Sequence, residues 1–166
     1  MPTTRREFLF AVIAAGPLSG PRNAPVVEPA PDRVAEIEWH ILFLTNQQRI
    51  WRRLPPLESS AALARIARSH SQDMLARGFF DHRTPEGIGS AERIARQGLK
   101  VATSAENIFL MKGGTSDAAE LASVMVSGWM SAKGHRRNIL DPAFRSLGVG
   151  VAASVRLVLA TQLFGG

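Results

Sequence analysis

The sequence predicts an α+β domain, with helices covering a small, mostly antiparallel sheet. Three observations lead there. The first half carries apolar residues at helical spacing. A β-rich run follows at residues 106–111. The chain then closes with two more β-rich runs, residues 147–153 and 155–164, split near Ser154 as a hairpin would be. With 166 residues and 45% hydrophobic content, the chain is long enough to bury one core. It has no cysteine, so packing alone must hold the fold.

The elements follow in order. Asp32 can cap a first helix whose stripe is Ile37, Ile41, Leu44 and Trp51, with Leu42 and Phe43 beside it. Pro55 and Pro56 stop it. A second helix opens at Ser59 or Ser60, keeps its period through Leu63, Ile66, Ala67, His70 and Met74, and ends at Gly78. His70 on that apolar face reads as a core histidine with a backbone partner. Phe79 to His82 leaves the helix as a loop, and Thr84-Pro85-Glu86-Gly87 is a turn. Residues 90–97 read as a short helix closed by Gly98. Gly113 and Gly114 stop the strand that follows. Asp117 caps a helix with the stripe Leu121, Val124, Met125 and Trp129.

The N-terminus reads as an address. Arg5 and Arg6 precede an apolar run at residues 8–15, the order of a twin-arginine export signal. That run is too short to span a bilayer comfortably. Residues 1–24 are therefore expected to be the signal, 25–33 a proline-rich linker, and 34–166 the folded domain. The destination would be a periplasm, the cell surface or the medium. The formal charge is +6, mostly from arginine. That balance favours peripheral contact with an anionic envelope surface, phospholipid or cell-wall polymer. Nucleic acid is not expected as a partner, because the arginines are scattered and no basic run is interleaved with aromatics.

One constellation carries chemistry: His82 in FFDHRTPEG, Glu106 in AENIF, and His135 after Lys133 and Gly134. Gly134 is expected to make a tight bend that presents the imidazole of His135. Two neutral imidazoles and a carboxylate suit Zn²⁺ or another divalent cation, with an open position for water. Such a site would weaken below pH ~6.5 as the imidazoles protonate. The alternative is that Glu106 hydrogen-bonds an imidazole or a backbone N–H and fixes a cleft wall. Ser104 and Ser131 stand near the group, but neither sits in a nucleophile elbow.

Several segments in a fixed order resemble the CAP superfamily of cysteine-rich secretory, antigen 5 and pathogenesis-related proteins, in its bacterial SCP-like branch. They are Asn46-Gln47-Gln48-Arg49 with Leu54-Pro55-Pro56-Leu57, then Ala67 to Met74, then Phe80-Asp81-His82. Ala105-Glu106-Asn107-Ile108, Trp129-Met130, Gly134 to Leu140, Gly148-Val149-Gly150 and Thr161-Gln162-Leu163-Phe164 complete the set. The resemblance implies a three-layer α-β-α sandwich with a cleft lined by two histidines and two acids. His82, Glu106 and His135 match three of these four. The fourth acid would fall near Ala132, which cannot replace it. Arg93, Asn107 and Gln162 read as loop-tying or cleft-wall groups. The function expected is an exported binding or interaction module for a lipid, peptide or cell-envelope ligand, with a possible divalent metal. The alternative is a metal-assisted peptidase or esterase using the same cleft.

Overall fold

A computed structural model describes residues 31–113 and 117–166. The stretches expected to be an export signal and most of a proline-rich linker lie outside these residues. Five helices and four strands follow in the order α1 (Pro31–Ile50), β1 (Glu58–Ser59), α2 (Ala61–Arg77), α3 (Ser90–Arg96), β2 (Ser104–Lys112), α4 (Ala118–Ser131), α5 (Lys133–Leu140), β3 (Ser146–Ala153) and β4 (Leu157–Gly165). Helix α1 starts at Pro31, three residues ahead of the expected boundary, and proline is well tolerated in a first turn. Asp32 is thus inside the helix rather than before it.

The sheet order is β1-β3-β4-β2. Strands β3 and β4 form the expected hairpin, and β2 adds antiparallel to β4 with Glu106 opposite Leu163 and Asn107 opposite Gln162. Strand β1, two residues parallel to β3, is too short to leave a period in the sequence.

Alternation along the strands divides the apolar side chains between two helical layers. Leu147, Val149, Val151, Ala160 and Phe164 join Ile37, Ile41, Leu121, Met125 and Trp129 in the layer of α1, α4 and α5. Leu163 packs with Leu63, Ile66, Ala67 and Ile94, and Leu159 with Met74 and Ile108, in the layer of α2 and α3. The predicted α-β-α sandwich is the observed architecture. Ser60 caps α2 by accepting from Leu63 N at 3.3 Å, and Gly78 ends it in the left-handed conformation.

Two stripe residues fall outside the core. The helix ends at Ile50, so Trp51 sits in the following turn, 69% exposed. Val124 faces solvent on α4.

Two charged residues to which the sequence reading gave no structural role tie the elements together. Glu38 on α1 accepts from Val151 N at 2.9 Å and from Arg68 on α2. It thereby covers the edge of β3 and bridges both helical layers. Arg49, fully buried at the end of α1, donates to carbonyls of Pro55, Ile139, Asp141 and Phe144.

Candidate functional site

Glu106 is the hub of the site. Its side chain leaves β2 towards the α2 layer and is almost wholly buried, 3% exposed. One oxygen, Oε1, lies 3.0 Å from His82 Nδ1. The other, Oε2, accepts from Arg93 Nη2 on α3. Arg93 also donates to the carbonyls of His82 at 3.0 Å and Ile88 at 3.1 Å, so it ties the loop bearing His82 to the strand bearing Glu106. A carboxylate only accepts, so His82 Nδ1 carries a proton, and in the neutral form of the ring Nε2 keeps a lone pair. The ring is half exposed, which leaves Nε2 available to a ligand.

His70 stands behind this pair. Its ring is fully buried, with Nε2 donating to Asp81 O at 3.0 Å and lying 4.0 Å from Glu106 Oε1. The backbone partner expected from the sequence is present. Its buried Nδ1 has no hydrogen-bond partner, which matches a neutral ring. Burial holds its pKa below the usual histidine value, although Glu106 pulls the other way. Between its folded and unfolded pKa values, the unfolded chain takes up a proton that the folded one refuses. This contribution to stability is complete above pH ~6.5 and is lost as pH falls below it. His135 acts in the same sense, lowered first by burial and then by the nearby charge of His82. Urea titrations at pH 7.5 and 5.0 should show the wild type weaker at the lower pH. His70→Gln should flatten part of that slope, and an unchanged slope would rule His70 out as its source.

His135 arrives by a different route from the one expected. Lys133 and Gly134 do not form a turn; they are the first residues of α5. The bend lies at Ala132, whose extended backbone separates α4 from α5. A buried chain of amides sets the helix in place. Gln162 Nε2 donates to Thr45 Oγ1 at 2.7 Å, and Asn107 Nδ2 donates to Gln162 Oε1 at 3.0 Å and to the His135 carbonyl at 3.2 Å. Asn138 Nδ2 donates to Asn107 Oδ1 at 2.8 Å. Asn107 and Gln162 are thus the wall groups the sequence suggested, and so is Arg93. Its direct contact with Glu106 had no signal in the sequence, because α3 and β2 meet only through tertiary packing.

Ala132, at the place of the missing acid, is exposed. The nearby acids are engaged elsewhere. Asp81 accepts from Arg83 N at 2.7 Å, and Glu86 pairs with Arg77, which holds its carboxyl at about 2. Ser131 donates to Ser127 O at 2.8 Å within its own helix, and Ser104 opens β2 opposite Gly165. A shallow depression of about 390 Å³ lies on the outer flank of α2, lined by Ser69, Gln72, Asp73 and Thr84, with His70 and Arg93 at its inner wall. Among the described residues, no three His, Asp or Glu side chains are disposed to hold an ion together.

The fold and the site define the class: an α-β-α sandwich domain whose edge strand carries a buried carboxylate beneath a half-exposed imidazole. The chain belongs to the cysteine-rich secretory protein (CAP) family, which it matches over residues 42–159. It is 34% identical over 125 residues to the Bacillus subtilis protein YkwD, covering 75% of this chain and 46% of YkwD. An extracellular SCP-domain protein from Bacillus anthracis superposes with a TM-score of 0.68 and 30% identity, covering 89% of this chain and 45% of that one. An outer surface protein of Borrelia burgdorferi shares the fold, with a TM-score of 0.72, 15% identity, and coverage of 84% of this chain and 97% of its own. The chain thus spans less than half the length of its curated relative YkwD.

Proposed function

We propose that this chain is an exported CAP-domain binding module whose cleft presents His82 and His135 to a ligand. The observation that carries the reading is the double engagement of Glu106: one oxygen orients His82, the other is paired with Arg93. Such a carboxylate positions a ring rather than abstracting a proton, so the hydrolase alternative would need His82 or a bound metal, not Glu106, to activate water. Export is supported by the twin-arginine stretch and by the extracellular B. anthracis relative. Among the described residues, no helix is long and apolar enough to cross a membrane.

A three-ligand metal centre is not the reading the geometry favours, because each Glu106 oxygen already accepts a hydrogen bond and, among the described residues, no three His, Asp or Glu side chains are grouped to hold an ion. A weaker two-imidazole site is the reading we propose instead, supported by the proximity through which His82 acts on the His135 ring. His82 Nε2 and His135 would hold a divalent cation, and Glu106 would act from behind as the hydrogen-bond partner of His82 Nδ1. A bound cation would supply Lewis acidity or simply anchor an anionic ligand. The protein's own part is to hold His82 in one tautomer and to keep His135 neutral by burial.

Calorimetric titration of the full chain with zinc tests this. One-to-one binding is expected at pH 7.5. It should vanish at pH 5.5 and fall at least tenfold in His82→Ala and His135→Ala. Glu106→Gln should weaken it by roughly 10–100-fold, the usual effect of losing such a supporting contact. Absence of binding at pH 7.5 would reduce the cluster to a structural network and move the search to lipid and peptide ligands.

A further inference from the structure

Helix α1 buries Ile37 and Ile41, yet its opposite face is apolar as well. Trp39 is 56% exposed, Phe43 45% and Ile50 49%, at spacings of four and seven residues that align on one side. Trp51 extends the line into the turn. The Trp39 and Phe43 rings stack at 5.4 Å and 11°, so the ridge is preformed. From Trp39 to Ile50 it runs about 17 Å at helical rise. Isolated exposed apolar residues need no explanation, but a stacked aromatic pair in line with exposed Ile50 and Trp51 does, with Asn46 and Gln47 filling the turn between.

The charge around the ridge narrows the occupant. No acidic residue occurs between Trp39 and Leu57, and the exposed Glu36 one turn before Trp39 lies 3.9 Å from His40, whereas Arg52 and Arg53 follow Trp51 and are exposed. Arg53 holds a left-handed backbone, φ 60°, where glycine would be cheaper. The aromatic area, on the order of 400 Å², falls short of the ~800 Å² per partner of a stable protein interface. A bilayer surface demands no complementary shape. Indole rings settle at the level of lipid headgroups, and arginines beside them meet anionic phosphates.

We infer that the α1 ridge, Trp39, Phe43, Ile50 and Trp51 with Arg52 and Arg53, seats the domain on an anionic phospholipid surface. The ridge belongs to the layer opposite the one that Glu106 enters, so the inference is independent of the cleft reading.

The full chain is mixed with phosphatidylglycerol-rich vesicles and with neutral phosphatidylcholine vesicles. Binding is read by sedimentation, and tryptophan emission by quenching from brominated lipid. Trp129 is fully buried, so quenching reports Trp39 and Trp51. The apolar run at residues 8–15 contains no tryptophan, so it cannot mimic that readout. Quenching is expected on anionic vesicles only. Trp39→Ser with Trp51→Ser should cut partitioning at least tenfold, and Arg52→Gln with Arg53→Gln by about 30-fold. All four side chains are exposed, so the melting temperature should hold in both variants and loss of binding will not reflect unfolding. Undiminished binding by the Trp pair, or no quenching in the wild type, would overturn the proposal. A dimer seen by analytical ultracentrifugation that the Trp pair dissolves, without vesicle binding, would also overturn it and give the ridge to self-association.

Discussion

Gly150→Ala is expected to lower the stability of the domain by ~3 kcal/mol or more, the upper end for overpacking, and its melting temperature by about 10 °C. Gly150 lies on β3 beneath α2. A β-carbon there would land on the backbone of Ala67 and Arg68, which cannot rotate away as a side chain could. Gly148 meets Leu63 and Ala64 in the same way. The helix therefore rests on the strand backbone, and Ser71 Oγ seals the contact by donating to Gly150 O at 2.9 Å. Lifting α2 would break that bond and shift His70 beside Glu106. Gly134→Ala is the control. Gly134 is in helix α5 with open space around it, so alanine there should be neutral or stabilising by up to ~1 kcal/mol. Melting curves of the two variants that differ by less than about 2 °C would refute the close-contact account.

Arg49→Met should cost ~3–5 kcal/mol, the usual penalty for breaking a buried charged network from one side. Methionine fills similar space but donates nothing, so the carbonyls of Pro55, Ile139, Asp141 and Phe144 lose their shared partner. Burial pushes the Arg49 pKa down, with Asp141 opposing it, so the carbonyl cage must make good the lost hydration. Arg49→Lys should recover only part of the loss, because one ammonium cannot reproduce the planar fork that reaches four acceptors. Urea denaturation midpoints give the comparison. A lysine variant as stable as wild type would show that charge, rather than geometry, is what the site needs. The consequence reaches the cleft, since Arg49 anchors the end of α5, the helix that carries His135.

Local chemistry made much of this chain readable. Ser60 and Gly78 bound α2 because a side-chain oxygen at the start and a left-handed residue at the end are requirements of the helix itself. The β3–β4 hairpin and the alternation of its faces follow from the two-residue period of a strand. His82, Glu106 and His135 stood out because histidines are few, 4 in the whole chain, and the ordered family segments surrounded them. Trp51 and Val124 were misplaced for the same reason: periodicity assigns a residue to a stripe but does not say where the helix ends or what lies opposite.

The composition and local patterns of the sequence thus determined the class of fold, the ends of α2, the hairpin and the family of the protein. The tertiary structure alone decided which atoms of the site are free. Arg93 reaches Glu106 from a helix thirteen residues earlier, and Asn107 reaches the His135 carbonyl across twenty-eight residues. In the function proposed above, those encounters make Glu106 a positioning group rather than a ligand and leave His82 Nε2 as the atom that would ligate. A sequence records which side chains can bond, whereas packing sets which bonds are already made, and at a site of charged, saturable groups that second fact governs the chemistry.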